Sequence, residues 1–199
     1  MIIEKSEFSK RQIAKLVKGT VVPRPIAWIS SVGKTGIPNL APFSYFQVIS
    51  HDPVMFIISI GQGYKVGKDG DKDTLANIKE TGDFVINMVS ASLASHMQKS
   101  SEIFPKNVSE FEKTGLTPVK SQVVTAPRVE EAVISMECTL NRVMELGDFN
   151  QVIGELACYH IKDEVYMEGD KINYETYDPI GRLAANYTYV RDLFFPDET

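Results

Sequence analysis

Three short polar clusters hold the residue types that could do chemistry in this chain: RPIAWISS at 24–31, NLAPFSYF at 39–46 and KDTLAN at 72–77. Lys72, Asp73 and Thr74 precede a segment in which Leu75 and Ile78 sit three apart and Gly82 follows as a stop. That pattern predicts a short helix with Asp73 or Thr74 as its N-cap. The first amides of a helix lack intrahelical partners and its dipole is positive there, so with Lys72 alongside the step suits an anion such as phosphate. An ordinary capped helix with a solvated lysine is the plainer reading of this triplet by itself. Only its combination with the two earlier clusters favours binding.

Those clusters need elements to hold them. Ile26 to Val32 is rich in β-branched and aromatic residues and is closed by GKTG at 33–36, so it reads as a strand ending in a turn. Ser30 and Ser31 then point to opposite faces, and each hydroxyl needs a partner or water. A strand end at the surface would satisfy them equally well. Asn39 to Phe46 returns after the turn, and a hairpin would bring Asn39, Ala41 and Ser44 close to Ser30 and Ser31. Val54 to Ile60 is a further apolar strand.

In this order, together with GxxNLAPFS, Asp52-Pro53 and GDFVIN at 82–87, the motifs resemble the flavin reductase-like family of FMN-binding split barrels. The resemblance runs from about residue 15 to about residue 165. It implies a mainly β, α+β fold: a Greek-key-like antiparallel split barrel, homodimeric, with FMN near the subunit interface. It also implies reduction of flavin by NADH or NADPH. By resemblance, Ser30 and Ser31 would contact the flavin ring or ribityl chain with Arg24 as a nearby cation, and Asn39, Ala41 and Ser44 would line the flavin. Ser59 would face the ribityl phosphate region, and Lys72, Asp73 and Thr74 would hold the phosphate. The chain departs from the family pattern at the single Pro53, in the long loop from Gly61 to Asp71, and at RLAAN (182–186), where two alanines replace the usual glycines.

Composition narrows the alternatives. The 199 residues read as one domain, with a C-terminal segment, 166–199, that should dock on the barrel or on a partner. A net charge of −5 argues against nucleic acid, and the local basic cluster of Lys65, Lys68 and Lys72 is interrupted by Asp69, Asp71 and Asp73. The longest apolar run, Val54 to Ile60, is too short for a membrane span, and a cytoplasmic location is the default. Gly61-Gln-Gly63 lacks the spacing of a dinucleotide fingerprint and reads as a loop.

Cys138 and Cys158 lack metal-site spacing, as do His51, His96 and His160, so no metal is expected. Ala132 to Leu140 and Val152 to Ile161 read as strands about a turn at 147–150, which would set the two cysteines roughly opposite each other. A disulfide switch is one reading; two reduced core cysteines are the expected one in a reducing compartment.

Residues 1–20 show helical spacing at Phe8, Ile13, Leu16 and Val17, and 90–112 should form two short helices broken at Pro105. In similar proteins such an insertion borders the substrate opening. No triad or suggestive carboxylate pair is present, which fits chemistry carried by a cofactor: hydride from a nicotinamide to FMN N5, then on to a flavin, oxygen or a protein acceptor. The alternative class is a non-catalytic electron-transfer or storage protein that keeps FMN bound. A barrel that has lost flavin is disfavoured by Ser30, Ser31, Lys72 and Thr74.

Overall fold

The computed structural model describes residues 2–62 and 70–194. Lys65, Lys68, Asp69 and Gly63, named above, lie outside the described residues. Helix α1, Lys10–Thr20, opens on a capping box in which Ser9 and Gln12 satisfy each other's backbone amides. The chain then forms β1 (Ala27–Val32), β2 (Pro38–Phe43), β3 (Phe46–His51) and β4 (Val54–Gly61). The second sequence cluster is thus two strands: the expected run from Asn39 to Phe46 is broken at Ser44 and Tyr45, which turn the chain from β2 into β3.

Helix α2, Asp73–Thr81, follows and ends on Gly82 in the left-handed conformation (φ 77°), as its sequence predicts. Its start differs by a residue from expectation, because Asp73 is already helical and Lys72 occupies the cap position without a side-chain bond. Strand β5 (Asp83–Met88) leads into α3 (Ala94–Lys99) and α4 (Glu110–Thr114), the two expected helices on either side of Pro105. The short pair β6 (Pro118–Val119) and β7 (Arg128–Val129) precedes a long hairpin, β8 (Ile134–Leu146) and β9 (Phe149–Ile161). After it come β10 (Tyr166–Met167), β11 (Lys171–Ile172), α5 (Tyr174–Tyr177), β12 (Ile180–Arg182) and β13 (Tyr187–Tyr189).

Seven strands make one antiparallel sheet in the order β2-β1-β5-β8-β9-β4-β3, and β2 also approaches β4 across the order, so the sheet curls toward closure as a split barrel. Ala27 and Ile29 of β1 point into the barrel interior with Phe56, Ile58, Phe84 and Ile86, and α2 adds Leu75 and Ile78 to that core. Ile26 and Trp28 point the other way, into a second cluster roofed by Leu93, Met97, Phe111 and Ile180. With both faces covered, β1 loses the alternation of a half-exposed strand. Gly154 of β9 leaves room for a neighbour, since a Cβ there would lie 2.3 Å from the Phe84 ring.

The β8–β9 register corrects the cysteine expectation. The hairpin closes at the Leu146–Phe149 pair, in a register that sets Cys158 opposite Glu137, while Cys138 lies opposite Leu156. Neighbouring residues of a strand point to opposite faces, so Cys138, next to Glu137, sits in the barrel core while Cys158 is half-buried elsewhere, and both are free thiols. The C-terminal segment docks through Tyr177 and Ile180 and through a bridge between Arg182 and Arg24, although Leu193 and Phe194 remain exposed. Among the described residues no helix is long and apolar enough to cross a membrane.

Candidate functional site

The β1–β2 hairpin sets Ser31 opposite Asn39 and Ile29 opposite Ala41. From there β2 runs along one wall of a cleft of about 860 Å³, with Asn39, Ala41, Pro42 and Phe43 in its lining. The opposite wall is the insertion between β5 and β6, where Gln98, Ser100 and Lys106 face the opening, and the rim is closed by Arg182 and Tyr187 of the C-terminal hairpin. Trp28 anchors that insertion from beneath, its indole N–H donating to Ser100 Oγ at 2.9 Å.

Eight of the ten expected residues meet in this cleft: Arg24, Asn39, Ala41, Ser44, Ser59, Lys72, Asp73 and Thr74. At one end the Asn39 side-chain amide donates to Thr74 Oγ1 at 2.8 Å, tying β2 to the first turn of α2. Lys72 precedes that turn with its ammonium 5.6 Å from the Phe43 ring centre. Partial burial of the charge draws the lysine below its ordinary value of 10.5. Asp73 pairs with Lys106 at 3.6 Å, linking the helix start to the insertion.

Arg24 works mainly as a strut. Its guanidinium donates to the carbonyls of Lys18, Val21 and Leu183 at 2.7, 3.3 and 2.8 Å and to Ser44 Oγ at 3.4 Å. It thereby joins the end of α1, the β2–β3 turn and the C-terminal segment below the cleft. Ser59 Oγ donates to Gln151 Oε1 at 2.6 Å, and the tilted rings of Tyr45 and Phe149, 5.4 Å apart, form an aromatic patch of the lining.

Ser30 and Ser31 are not brought into the cleft. Both are fully buried. Ser30 Oγ donates to the Pro127 carbonyl and accepts from Asn87 Nδ2, while Ser31 Oγ accepts from Asn77 Nδ2 of α2 at 3.2 Å. The expectation that they touch a ligand gives way to a positioning role: Ser31 fastens α2 to β1, and Ser30 belongs to the network around Asn87. Their hydroxyls found partners inside the protein, which adjacency in sequence to an aromatic run could not reveal.

Sequence reasoning missed Tyr45, Gln98, Ser100, Lys106 and Phe149 and left Arg182 and Tyr187 unassigned. Tyr187 OH donates to Gln98 Oε1 at 2.6 Å, and the Arg182 guanidinium lies 4.4 Å from the Tyr187 ring centre. Only the docking of the tail against the insertion creates this wall. The available signal was the family-like run RLAAN at 182–186, next to Tyr187.

A cationic helix start beside small and aromatic lining residues suits a ligand with a phosphate at one end and a flat ring at the other. A model for the flavin reductase like domain matches residues 19–177. Nitrilotriacetate monooxygenase component B from Bacillus cereus is similar to this chain at 33% identity, with a TM-score of 0.92 over 98% of both chains. The 2-nitrobenzoate 2-nitroreductase of Pseudomonas fluorescens matches at 30% identity and a TM-score of 0.89, covering 100% of this chain and 96% of its own. An uncharacterized protein of Aquifex aeolicus (strain VF5) is 44% identical over 179 residues, 89% of this chain and 88% of that protein. The chain belongs to the flavin reductase-like family.

Proposed function

We propose that this protein is an FMN-dependent oxidoreductase in which the cleft holds FMN and admits NADH or NADPH as electron donor. The observation that carries the reading is the Asn39–Thr74 link at the start of α2, with Lys72 beside it. It offers a phosphate a cation, a hydroxyl and the first amides of a helix, while Ala41 allows the chain to approach a ring closely. FMN, once bound, supplies two-electron chemistry that the side chains cannot. The residues of the cleft bind and orient: Lys72 and Thr74 fix the phosphate end, Phe43 and the Tyr45–Phe149 pair exclude water, and Arg182 with Tyr187 borders the entrance for the second ligand. The electrons pass onward to a flavin, to oxygen or to a protein acceptor.

The same reading includes a homodimer. Helix α1 buries none of its residues, and Leu16, Val17 and Val21 stand exposed, as do Val48 and Ile49 of the edge strand β3. An apolar edge of this kind needs a cover. Sedimentation at micromolar concentration should give a dimer, and a monomer would count against this part.

An anaerobic visible spectrum of the protein with FMN, before and after NADH or NADPH, tests the function. Flavin bands that shift on binding and bleach with either nucleotide are expected. Bound bands that resist both nucleotides would replace the reductase with an electron-transfer or storage protein. Failure to bind FMN would overturn both readings.

A further inference from the structure

Away from the cleft, the β8–β9 hairpin gathers three metal-ligating side chains that their spacing in the sequence kept apart. Glu137 of β8 lies opposite Cys158 of β9, and His160, two residues further on, falls on the same strand face. A Glu137 carboxylate oxygen, Cys158 Sγ and a His160 ring nitrogen all lie within 4.8 Å of one another. None of the three lines the cleft.

The site is built around a fixed carboxylate. Glu137 has a fully buried side chain, and its two oxygens accept the backbone N–H groups of Gln122 and Val123, each at 2.7 Å. Each oxygen keeps a further lone pair, and Oε1 meets His160 Nε2 at 2.6 Å. His160 Nε2 in turn lies 3.5 Å from Cys158 Sγ. Buried carboxylates held this way are ionised and positioned, as a ligand from a rigid element should be.

The distances suit a tetrahedral ion. Zinc bonds of about 2.0–2.1 Å to nitrogen and about 2.3 Å to sulfur set those two atoms roughly 3.5 Å apart. That is the separation already present between His160 and Cys158. The nitrogen–oxygen pair must open to about 3.3 Å for the same geometry. Backbone amides pin the carboxylate, so the His160 ring, 22% exposed at its side chain, is the part free to turn. Arg128, whose Nε lies 3.9 Å from Glu137 Oε1 and makes no hydrogen bond, offsets part of the negative charge. Hard cations held by charge alone are disfavoured there, whereas one that bonds to thiolate and imidazole is not.

We infer that Glu137, Cys158 and His160 form a zinc-binding site with a fourth position open to water or an added ligand. Binding displaces the thiol proton of Cys158 and frees the Nε2 lone pair of His160 by moving its proton to Nδ1 or to solvent.

The test uses the full-length protein and the metal alone. After incubation with a small excess of zinc and gel filtration, one zinc per chain is expected, and cobalt in its place should give a near-ultraviolet thiolate charge-transfer band. Both signals should vanish in Cys158→Ser and in His160→Ala, with unchanged circular dichroism and unchanged FMN binding. Zinc retained by both variants would reduce the site to an adventitious ion only, and none retained by the wild type would overturn the assignment. Should the variants fail to fold, zinc must slow modification of the wild-type Cys158 thiol by about tenfold or more. An unaltered rate there overturns the assignment.

Discussion

Asn39 and Thr74, thirty-five residues apart, share a side-chain hydrogen bond of 2.8 Å that locks the second strand to the first turn of α2. It joins two of the three polar clusters, and the third contributes the Ser31–Asn77 contact one turn further along the same helix. The helix start is therefore held from two points on one hairpin.

Asn39→Ala removes the first of these ties. A single net hydrogen bond is worth about 1 kcal/mol, so unfolding stability should fall by about that amount and FMN should bind up to roughly fivefold more weakly. Fluorescence titration of FMN measures it, and an unchanged affinity would mean that the helix start does not hold the phosphate.

Lys72 connects stability to binding. Its burial-lowered pKa means that the folded protein holds this proton less tightly than the unfolded chain. The resulting cost to stability is complete below the folded-state value and is relieved as pH rises toward 10.5. Lys72→Met should thus be slightly more stable than wild type at neutral pH while binding FMN about tenfold more weakly, the loss of one charge-assisted contact. Wild-type affinity should fall as alkaline pH removes the lysine proton, and the variant should lack that decline.

Ser30→Ala separates structure from binding. It leaves the Pro127 carbonyl unpaired inside a network in which Asn87 also bonds the Trp28 carbonyl, the Val129 amide and Ser135. A loss of about 1–3 kcal/mol in urea unfolding is expected, with FMN affinity unchanged. A large fall in affinity without loss of stability would return Ser30 to the ligand.

Glu137 should govern part of the acid sensitivity. Burial pushes its carboxyl up, but the Gln122 and Val123 amides and His160 together outweigh burial and hold it below 4.5. A lowered carboxyl stabilises the fold above its unfolded value, and that stability is lost as pH falls through the folded one. Glu137→Gln should be less stable at pH 7 by about 1–3 kcal/mol, and its stability should fall less steeply on acidification below 4.5. Denaturant titrations across that range measure both slopes, and parallel slopes would remove Glu137 from the acid response.

The sequence by itself determined the local elements and the family. β-Branched and aromatic enrichment, the GKTG turn and the Gly82 stop declare β1, its hairpin and α2, because strand propensity and left-handed caps depend on neighbouring residues alone. Lys72, Asp73 and Thr74 were legible as the start of that helix for the same reason. Tertiary structure decided everything that depends on which faces meet. It turned Ser30 and Ser31 inward and made Arg24 a strut between three segments. It brought Gln98 and Tyr187 together from eighty-nine residues apart. The register of the β8–β9 hairpin, closed at the Leu146–Phe149 pair, set Cys158 opposite Glu137 on the face away from Cys138 and beside His160. Moving a hairpin's closing pair by one residue exchanges the faces that meet, and no pattern of residue types along the chain records where that pair will be.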